Sequence, residues 1–450
     1  MQDQVSHFVG VGGIGMSGLA LVLAAQGKQV TGSDLRPGHP TRRLEAAGAT
    51  IFYGHQAENL GAATRLIYST AIRPENPELL AAKAKGLTIC HRSELLAEIA
   101  EGYRMIGVSG THGKTTTSSM IAVMLFQIGL DPTVVVGGEV DALGGNARLG
   151  QGPHLVAEVD ESDGSLVRFT PEVAIVTNIE SDHLDHYRDL SQIVEVFRTY
   201  TSQSHFVIAN LDCPTIREHL KVDCTYSLDP HSKAKYRAVD PHFDAQGTVA
   251  QILEGDEILG ALHLRVLGRH NLSNALAAVA VGRYLGLSFA QIVEGLEAFR
   301  GTHRRFEIMG ERDDILFVDD YAHHPSEIQV TLAAARLRGR RVVAIFQPHR
   351  YSRSQLLLAE FATAFKDADA VVITDIYSAG EVNTGLIDGR RFADAVAAHH
   401  LFVTYEPTLE AVKAYLRTSL QRGDLALFLG AGNLNQTIPD LLKADSTAAL

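Results

Sequence analysis

The segment 105–128 constrains the fold of this 450-residue chain more than any other. A short apolar run, 105–108, enters the glycine-rich stretch 110–117 (GTHGKTTT), and a helical pattern follows to about residue 128. A buried strand that turns through glycines into a helix offers backbone N–H groups and the positive end of a helix dipole to an anion. Gly110, Thr111, His112 and Gly113 form the turn. Lys114 can reach β- and γ-phosphates, and the Thr115 hydroxyl can ligate Mg2+. The full phosphate-loop pattern wants glycine five residues before Gly113, where this chain has Val108, so the loop is a shortened variant. The competing reading is an ordinary strand–helix turn, which the Gly-Lys-Thr ending in this context disfavours.

A second glycine loop lies near the start. Residues 7–11 read as a buried strand, and Gly10, Gly12 and Gly15 follow. Met16, Leu19, Ala20 and Leu23 then share one helical face. Asp34 lies 19 residues beyond Gly15, at the end of the next strand pattern. This spacing places a diphosphate at the helix start and an acid on a ribose hydroxyl. NAD, FAD and a UDP-sugar all offer those groups, and the motif does not choose among them.

Apolar runs alternate with helical patterns along the whole chain, which predicts βαβ units and parallel sheets. Three blocks restart with a strand and a glycine turn, giving expected domains at 1–101, 102–302 and 303–450. The fold class is α/β: a Rossmann-like N-terminal domain, a P-loop-type central domain and a Rossmann-like C-terminal domain. Further strands are expected at 155–157, 173–177, 206–209, 315–318, 342–346, 370–373 and 425–429. A helix is expected over 270–285, a linker over 299–303 and a frayed tail over 445–450.

The formal net charge of −12 argues against a general nucleic-acid binder. Three cysteines without framework spacing suggest free thiols and a cytoplasmic location. No apolar run approaches the roughly 18 residues of a membrane span. Either a monomer or a homodimer fits.

Several polar clusters follow predicted strands. Glu158 ends one, with Asp160, Glu161 and Asp163 close behind, and His183 follows another. A carboxylate and an imidazole at neighbouring strand ends suit a divalent ion that also holds phosphate oxygens; a solvated acidic loop is the alternative. Arg304 and Arg305 can clamp a phosphate or form a surface basic pair. Asp319, Asp320, Tyr321, His323 and His324 precede Pro325, which suits a helix start. Arg350, between His349 and Tyr351, can hold a small carboxylate. The arginine-rich run 336–341 reads as a solvated helix end.

The segments HFVGVGGIGMSGLA (7–20), VSGTHGKTTTSS (108–119), VAEVDESDGS (156–165), TNIESDHLDHY (177–187), GRHNLSNALAA (268–278), HRRFE (303–307), DDYAHHP (319–325), QPHRYSR (347–353) and GAGN (430–433) occur in this order. With them the chain resembles the Mur ligases of bacterial cell-wall synthesis over essentially its whole length. Within that family it is most similar to the alanine-adding branch. The resemblance implies ATP-dependent ligation of L-alanine to the lactyl carboxylate of UDP-N-acetylmuramate. It implies Gly12, Ile14, Gly15 and Met16 at the diphosphate, Asp34 at the ribose, and Ser69, Thr70 and Arg92 lining the same site. It implies Mg-ATP bound through Lys114, Thr115, Thr116, Glu158 and His183, with Thr115, Glu158 and His183 as metal ligands. His270, Asn271 and Asn274 would contact adenine; Arg305, Asp320 and Tyr321 would surround the nucleotide. His349, Arg350 and Tyr351 would receive alanine. The implied catalytic groups are Lys114, Glu158, His183 and Arg305. Some relatives carry a carbamylated lysine after the His183-type motif; this chain has no lysine between Lys114 and Lys221.

Overall fold

A computed structural model of the chain describes residues 4–183 and 186–443. The expected frayed tail lies outside the described residues, as do Leu184 and Asp185 of the His183 segment.

The first sheet holds β1 (Val5–Val9), β2 (Gln29–Asp34), β3 (Thr50–Tyr53), β4 (Arg65–Tyr68) and β5 (Thr88–His91), in the order β3-β2-β1-β4-β5. All its pairings are parallel. Strand order reverses between β1 and β4, so a crevice opens at their carboxyl ends, where doubly wound sheets take ligands. The 10–15 loop leaves β1 there, and Ser69 and Thr70 leave β4.

The second sheet contains β6 (Arg104–Ser109), β7 (Thr133–Val140), β8 (Gly145–Arg148), β9 (His154–Glu158), β10 (Val173–Val176), β11 (Phe206–Asn210), β12 (Cys224–Ser227), β13 (Tyr236–Asp244), β14 (Gly247–Glu254) and β15 (Glu257–Leu264). The order is β15-β14-β13-β12-β11-β10-β6-β9-β7-β8. The strand expected to start the phosphate loop is β6, between β9 and β10 and parallel to both. Not expected from sequence are β7, β8, which is antiparallel to it, β12, and the hairpin-linked run β13–β15.

The third sheet holds β16 (Glu307–Arg312), β17 (Ile315–Asp320), β18 (Arg341–Phe346), β19 (Ala370–Ile373), β20 (Val403–Tyr405) and β21 (Asp424–Leu429), in the order β16-β17-β21-β18-β19-β20. Strand β16 is antiparallel to β17 and precedes the first strand expected in this block, 315–318. Side-chain alternation along β17 buries Val318 with Phe346 and Phe392, and Phe317 with Val343 and Phe428, in separate clusters.

The chain forms two compact units. One holds Met1–Asp240, Ala250–His263 and Ser273–Arg300; the other holds Pro241–Val249, Leu264–Leu272 and Gly301–Leu450. The first sheet and most of the second share one unit, and one apolar core runs through both. Phe8, Leu23 and Leu95 cluster with Leu155, Val159 and Phe197. Gly18 sits at their junction: a Cβ there would lie 3.1 Å from Asn146 Nδ2 and 3.5 Å from Val135. Cys90, Cys213 and Cys224 are buried free thiols. No helix among the described residues is long and apolar enough to cross a membrane.

Candidate active site

The first glycine loop is shaped by β2. Gly10, at φ +73°, and Val11 both donate their N–H groups to the Ser33 carbonyl, at 2.8 and 2.9 Å. Gly12 N donates to Asp34 Oδ2 at 2.8 Å, and a Cβ on Gly12 would meet that same oxygen at 2.8 Å. Asp34 Oδ1 accepts from Leu35 N at 2.7 Å, so its carboxylate ties the strand end to the loop. The helix Ile14–Ala25 then begins with Ile14 exposed and Met16 buried at 3% exposure. The Met16 side chain therefore belongs to the core rather than to the loop surface. Arg92 opens the helix Arg92–Ala100, and its Nη1 stands 3.5 Å from where a Gly15 Cβ would be. Asn146, which no sequence motif marks, joins the same corner: its Nδ2 donates to Ile14 O at 2.6 Å, and its Oδ1 accepts from Arg43 at 3.2 Å.

The second loop is held by the carboxyl end of β10. Thr111 N donates to Asn178 O at 3.0 Å and His112 N to Asn178 Oδ1 at 2.8 Å. The His112 carbonyl accepts from Thr177 Oγ1 at 2.6 Å and Asn178 Nδ2 at 3.0 Å. Gly110 is at φ +137°, and a Cβ there would collide with Thr177 Oγ1. Gly113, at φ +81°, caps the helix Lys114–Gln127, and a Cβ there would lie 2.8 Å from Asn274 Oδ1. Glycine at both positions is a steric requirement as well as a conformational one. Thr115 and Thr116 fall in the first turn of that helix.

Charge gathers beside this loop. Lys114 Nζ donates to Gly110 O at 2.6 Å, Thr111 O at 3.1 Å and Glu161 Oε1 at 2.9 Å. Burial would lower the lysine pKa, but the carboxylates of Glu161, Asp160 and Glu158 outweigh it and hold the ammonium charged above its ordinary range. Glu158 ends β9 and accepts from Gly137 N at 2.8 Å. His183, at φ +54°, brings Nε2 to 3.6 Å from Glu161 and 3.7 Å from Asp182. Burial opposes its protonation, while Glu161 and Asp182 favour it, and the net shift is upward. Of the expected trio, Glu158 and His183 thus border the carboxylates around Lys114, and Thr115 follows Lys114 in the first turn of the helix.

The helix Arg269–Tyr284 is divided between the two compact units: His270 and Asn271 group with the second, Asn274 with the first. Burial, with Arg305 adding, pushes the His270 pKa down to about 4. In the second unit Arg304 and Arg305 lie 4.9 and 5.2 Å from the centre of the Tyr321 ring. Their tethers differ: Arg304 donates to Gly430 O at 2.7 Å and to Asp319 at 3.2 Å, whereas Arg305 meets Glu327 only at 4.0 Å. Arg304 therefore braces the sheet edge and Arg305 is the looser cation. Asp320 accepts from Phe306 N at 2.7 Å and Ala322 N at 2.8 Å. Burial raises its pKa to about 6 against the opposing pull of Arg305 and these N–H groups. The His349 ring stacks on Tyr377 at 5.7 Å. Burial, then His323 and three arginines, depress its pKa to about 3, so it is neutral at physiological pH. Arg350 takes φ +68° ahead of the short helix Tyr351–Leu356. Gln347, for which no role is expected from sequence, pins the 430–433 turn: its Oε1 accepts from Asn433 N at 2.9 Å and Leu434 N at 3.2 Å.

Two strand–glycine loop–helix sites on adjoining sheets, with a third α/β sheet carrying arginines at its carboxyl edge, define a multidomain nucleotide-binding protein of the P-loop type. Residues 5–104 match the description "Mur ligase family, catalytic domain", 108–282 "Mur ligase middle domain" and 304–432 "Mur ligase, glutamate ligase domain". The chain belongs to the Mur ligase family. It is 67% identical to a UDP-N-acetylmuramate–L-alanine ligase of Gloeobacter violaceus, covering 99% of this chain and 97% of that one. The crystal structure of a UDP-N-acetylmuramate–alanine ligase from Thermotoga maritima superposes with TM-score 0.86 at 31% identity, over 97% of this chain and 98% of that one. A murein peptide ligase from Psychrobacter arcticus gives 0.73 at 25% identity, over 98% of both chains.

Proposed function

We propose that this protein joins L-alanine to the lactyl carboxylate of UDP-N-acetylmuramate while converting ATP to ADP and phosphate, a step in making peptidoglycan precursors. The observation that carries this reading is the near full-length identity to alanine-adding relatives, with both glycine loops intact in their strand–helix settings. The murein peptide ligase is the less similar relative in identity and in superposition alike.

The work is divided among the three domains. Residues 1–101 take the sugar nucleotide, 102–302 take ATP and 303–450 take alanine. The backbone of Gly12, Ile14, Gly15 and Met16 faces the diphosphate, Asp34 the ribose, and Ser69, Thr70 and Arg92 border the same crevice. ATP lies on the 110–116 loop. His270, Asn271 and Asn274 serve the adenine, and Arg305, Asp320 and Tyr321 surround the nucleotide. His349, Arg350 and Tyr351 receive the amino acid, with Arg350 facing its carboxylate.

Thr115, Glu158 and His183 would hold Mg2+. They fit it: two of the three donors are hard oxygens, and Gly137 leaves room for the Glu158 carboxylate, which a Cβ at that position would overlap. Such an ion offsets charge on phosphate oxygens. The lactyl carboxylate attacks the γ-phosphorus, giving an acyl phosphate and ADP. The alanine amine then attacks the acyl carbon and phosphate departs. Lys114 and Arg305 neutralise charge on the transferring group, and the remaining groups position the reactants.

The test is incubation with UDP-N-acetylmuramate, ATP and a panel of amino acids, with products weighed by mass spectrometry. A mass gain of alanine less water, with one ADP per product, is expected. A product only with a tripeptide, or ADP formed without any adduct, would overturn the reading.

A further inference from the structure

Asp160 stands two residues beyond Glu158, on the phosphate-loop side of the first unit. Its shortest hydrogen bond nonetheless reaches across to the helix that follows the first sheet. Arg92 Nη2 donates to Asp160 Oδ2 at 2.6 Å, with the two side chains 25% and 30% exposed. The carboxylate is itself fixed: Ser162 donates to it through its hydroxyl at 2.9 Å and its N–H at 3.1 Å. Neighbouring contacts dock the same segment on the start of the Arg92–Ala100 helix. His91 Nε2 lies 3.6 Å from Asp163, and Glu94 accepts from Arg168 at 2.9 Å. One guanidinium nitrogen of Arg92 is thus anchored on Asp160 while the other, Nη1, stands beside Gly15 at the mouth of the first glycine loop.

We propose that Asp160 is a positioning residue for the sugar-nucleotide site: it holds the Arg92 guanidinium at the first loop, although it belongs to the ATP-side strand connection. The inference rests on the reading that this loop takes the UDP-sugar. An arginine has several rotatable bonds, and holding it in place before binding removes an ordering cost that the ligand would otherwise bear. The Asp160 carboxylate also faces Lys114. Because its two cations serve different loops, Asp160 is also a direct charged link between the two sites.

A double-mutant cycle read by calorimetry tests this, with UDP-N-acetylmuramate titrated into the full chain without ATP. Asp160→Asn is expected to weaken binding about tenfold when Arg92 is present, and less than about twofold in an Arg92→Ala background. Asp160→Glu, which keeps the carboxylate, is expected to bind within about threefold of the parent. Equal losses in both backgrounds would overturn the proposal, as would Asp160→Glu binding as weakly as Asp160→Asn. A parent chain that does not bind the sugar nucleotide at all would instead overturn the proposed function, on which this inference depends.

Discussion

The two glycine loops look alike in sequence and are built differently. The first, after β1, rests mainly on one neighbour: β2 supplies the Ser33 carbonyl and the Asp34 carboxylate, while Asn146 reaches the helix start from far along the chain. Its Gly13 is at φ −64° in extended backbone, open to other residues. The second loop is locked by Thr177 and Asn178 at the end of the neighbouring strand β10, through both a side chain and a carbonyl, and its two key glycines are at positive φ against side chains. Only the second stands beside a buried ammonium with several carboxylates. A loop that orients a diphosphate without breaking it needs N–H groups and one ribose acceptor. A loop that supports phosphoryl transfer must also hold charge in place without reorganising, and rigidity serves that need.

This contrast can be broken most severely at Lys114. Lys114→Ala is expected to lower the rate of ADP formation by about 10²–10³, the cost of a lost electrostatic donor. Sugar-nucleotide affinity, measured by calorimetry, is expected to stay within about threefold. Next comes the steric contrast. Gly110→Ala puts a Cβ at φ +137° onto Thr177 and is expected to cost about 3 kcal/mol or more of stability. Gly13→Ala, whose nearest contact is 3.4 Å, is expected to cost no more than about 1 kcal/mol by thermal melting. Asp34→Ala frees the Gly12 N–H and removes the proposed ribose acceptor. It is expected to weaken UDP-N-acetylmuramate binding by about 2 kcal/mol and leave ADP binding unchanged.

The strands that carry these loops were legible in the sequence because parallel, doubly buried strands read as apolar runs ending in glycine turns. What escaped was of two kinds. Strands β13–β15 are half exposed, so their polar and apolar residues mix and no buried run marks them; the Gly255-Asp256 turn was the available signal. The anchors Thr177 and Asn146 act across the fold, Asn146 on a carbonyl 132 positions away, and local pattern carries no trace of such a contact. Gly18 carries no local mark of its role, which is to let a helix approach Asn146 and Val135. The charged cluster was partly visible as the run Asp160, Glu161 and Asp163, but its division of labour between Lys114 and Arg92 was not.

Smaller perturbations sharpen the contrast. Thr177→Val removes the hydroxyl that donates to the His112 carbonyl and is expected to cost about 1 kcal/mol in ADP binding, with no effect at the first loop. Outside both loops, His349 supplies a pH reference. Its folded-state pKa lies below the unfolded value, so its contribution to stability is present above about 6.5 and is lost as pH falls toward about 3. His349→Gln is expected to flatten the acid limb of thermal stability in that window.

The central claim is that the two loops bring a carboxylate and a γ-phosphoryl group together to form an acyl phosphate. It is tested most directly with UDP-N-acetylmuramate carrying ¹⁸O in its lactyl carboxylate, turned over with ATP and L-alanine. Transfer of one ¹⁸O to each phosphate released is the predicted result. Phosphate without label, accompanied by alanine adduct, would contradict it.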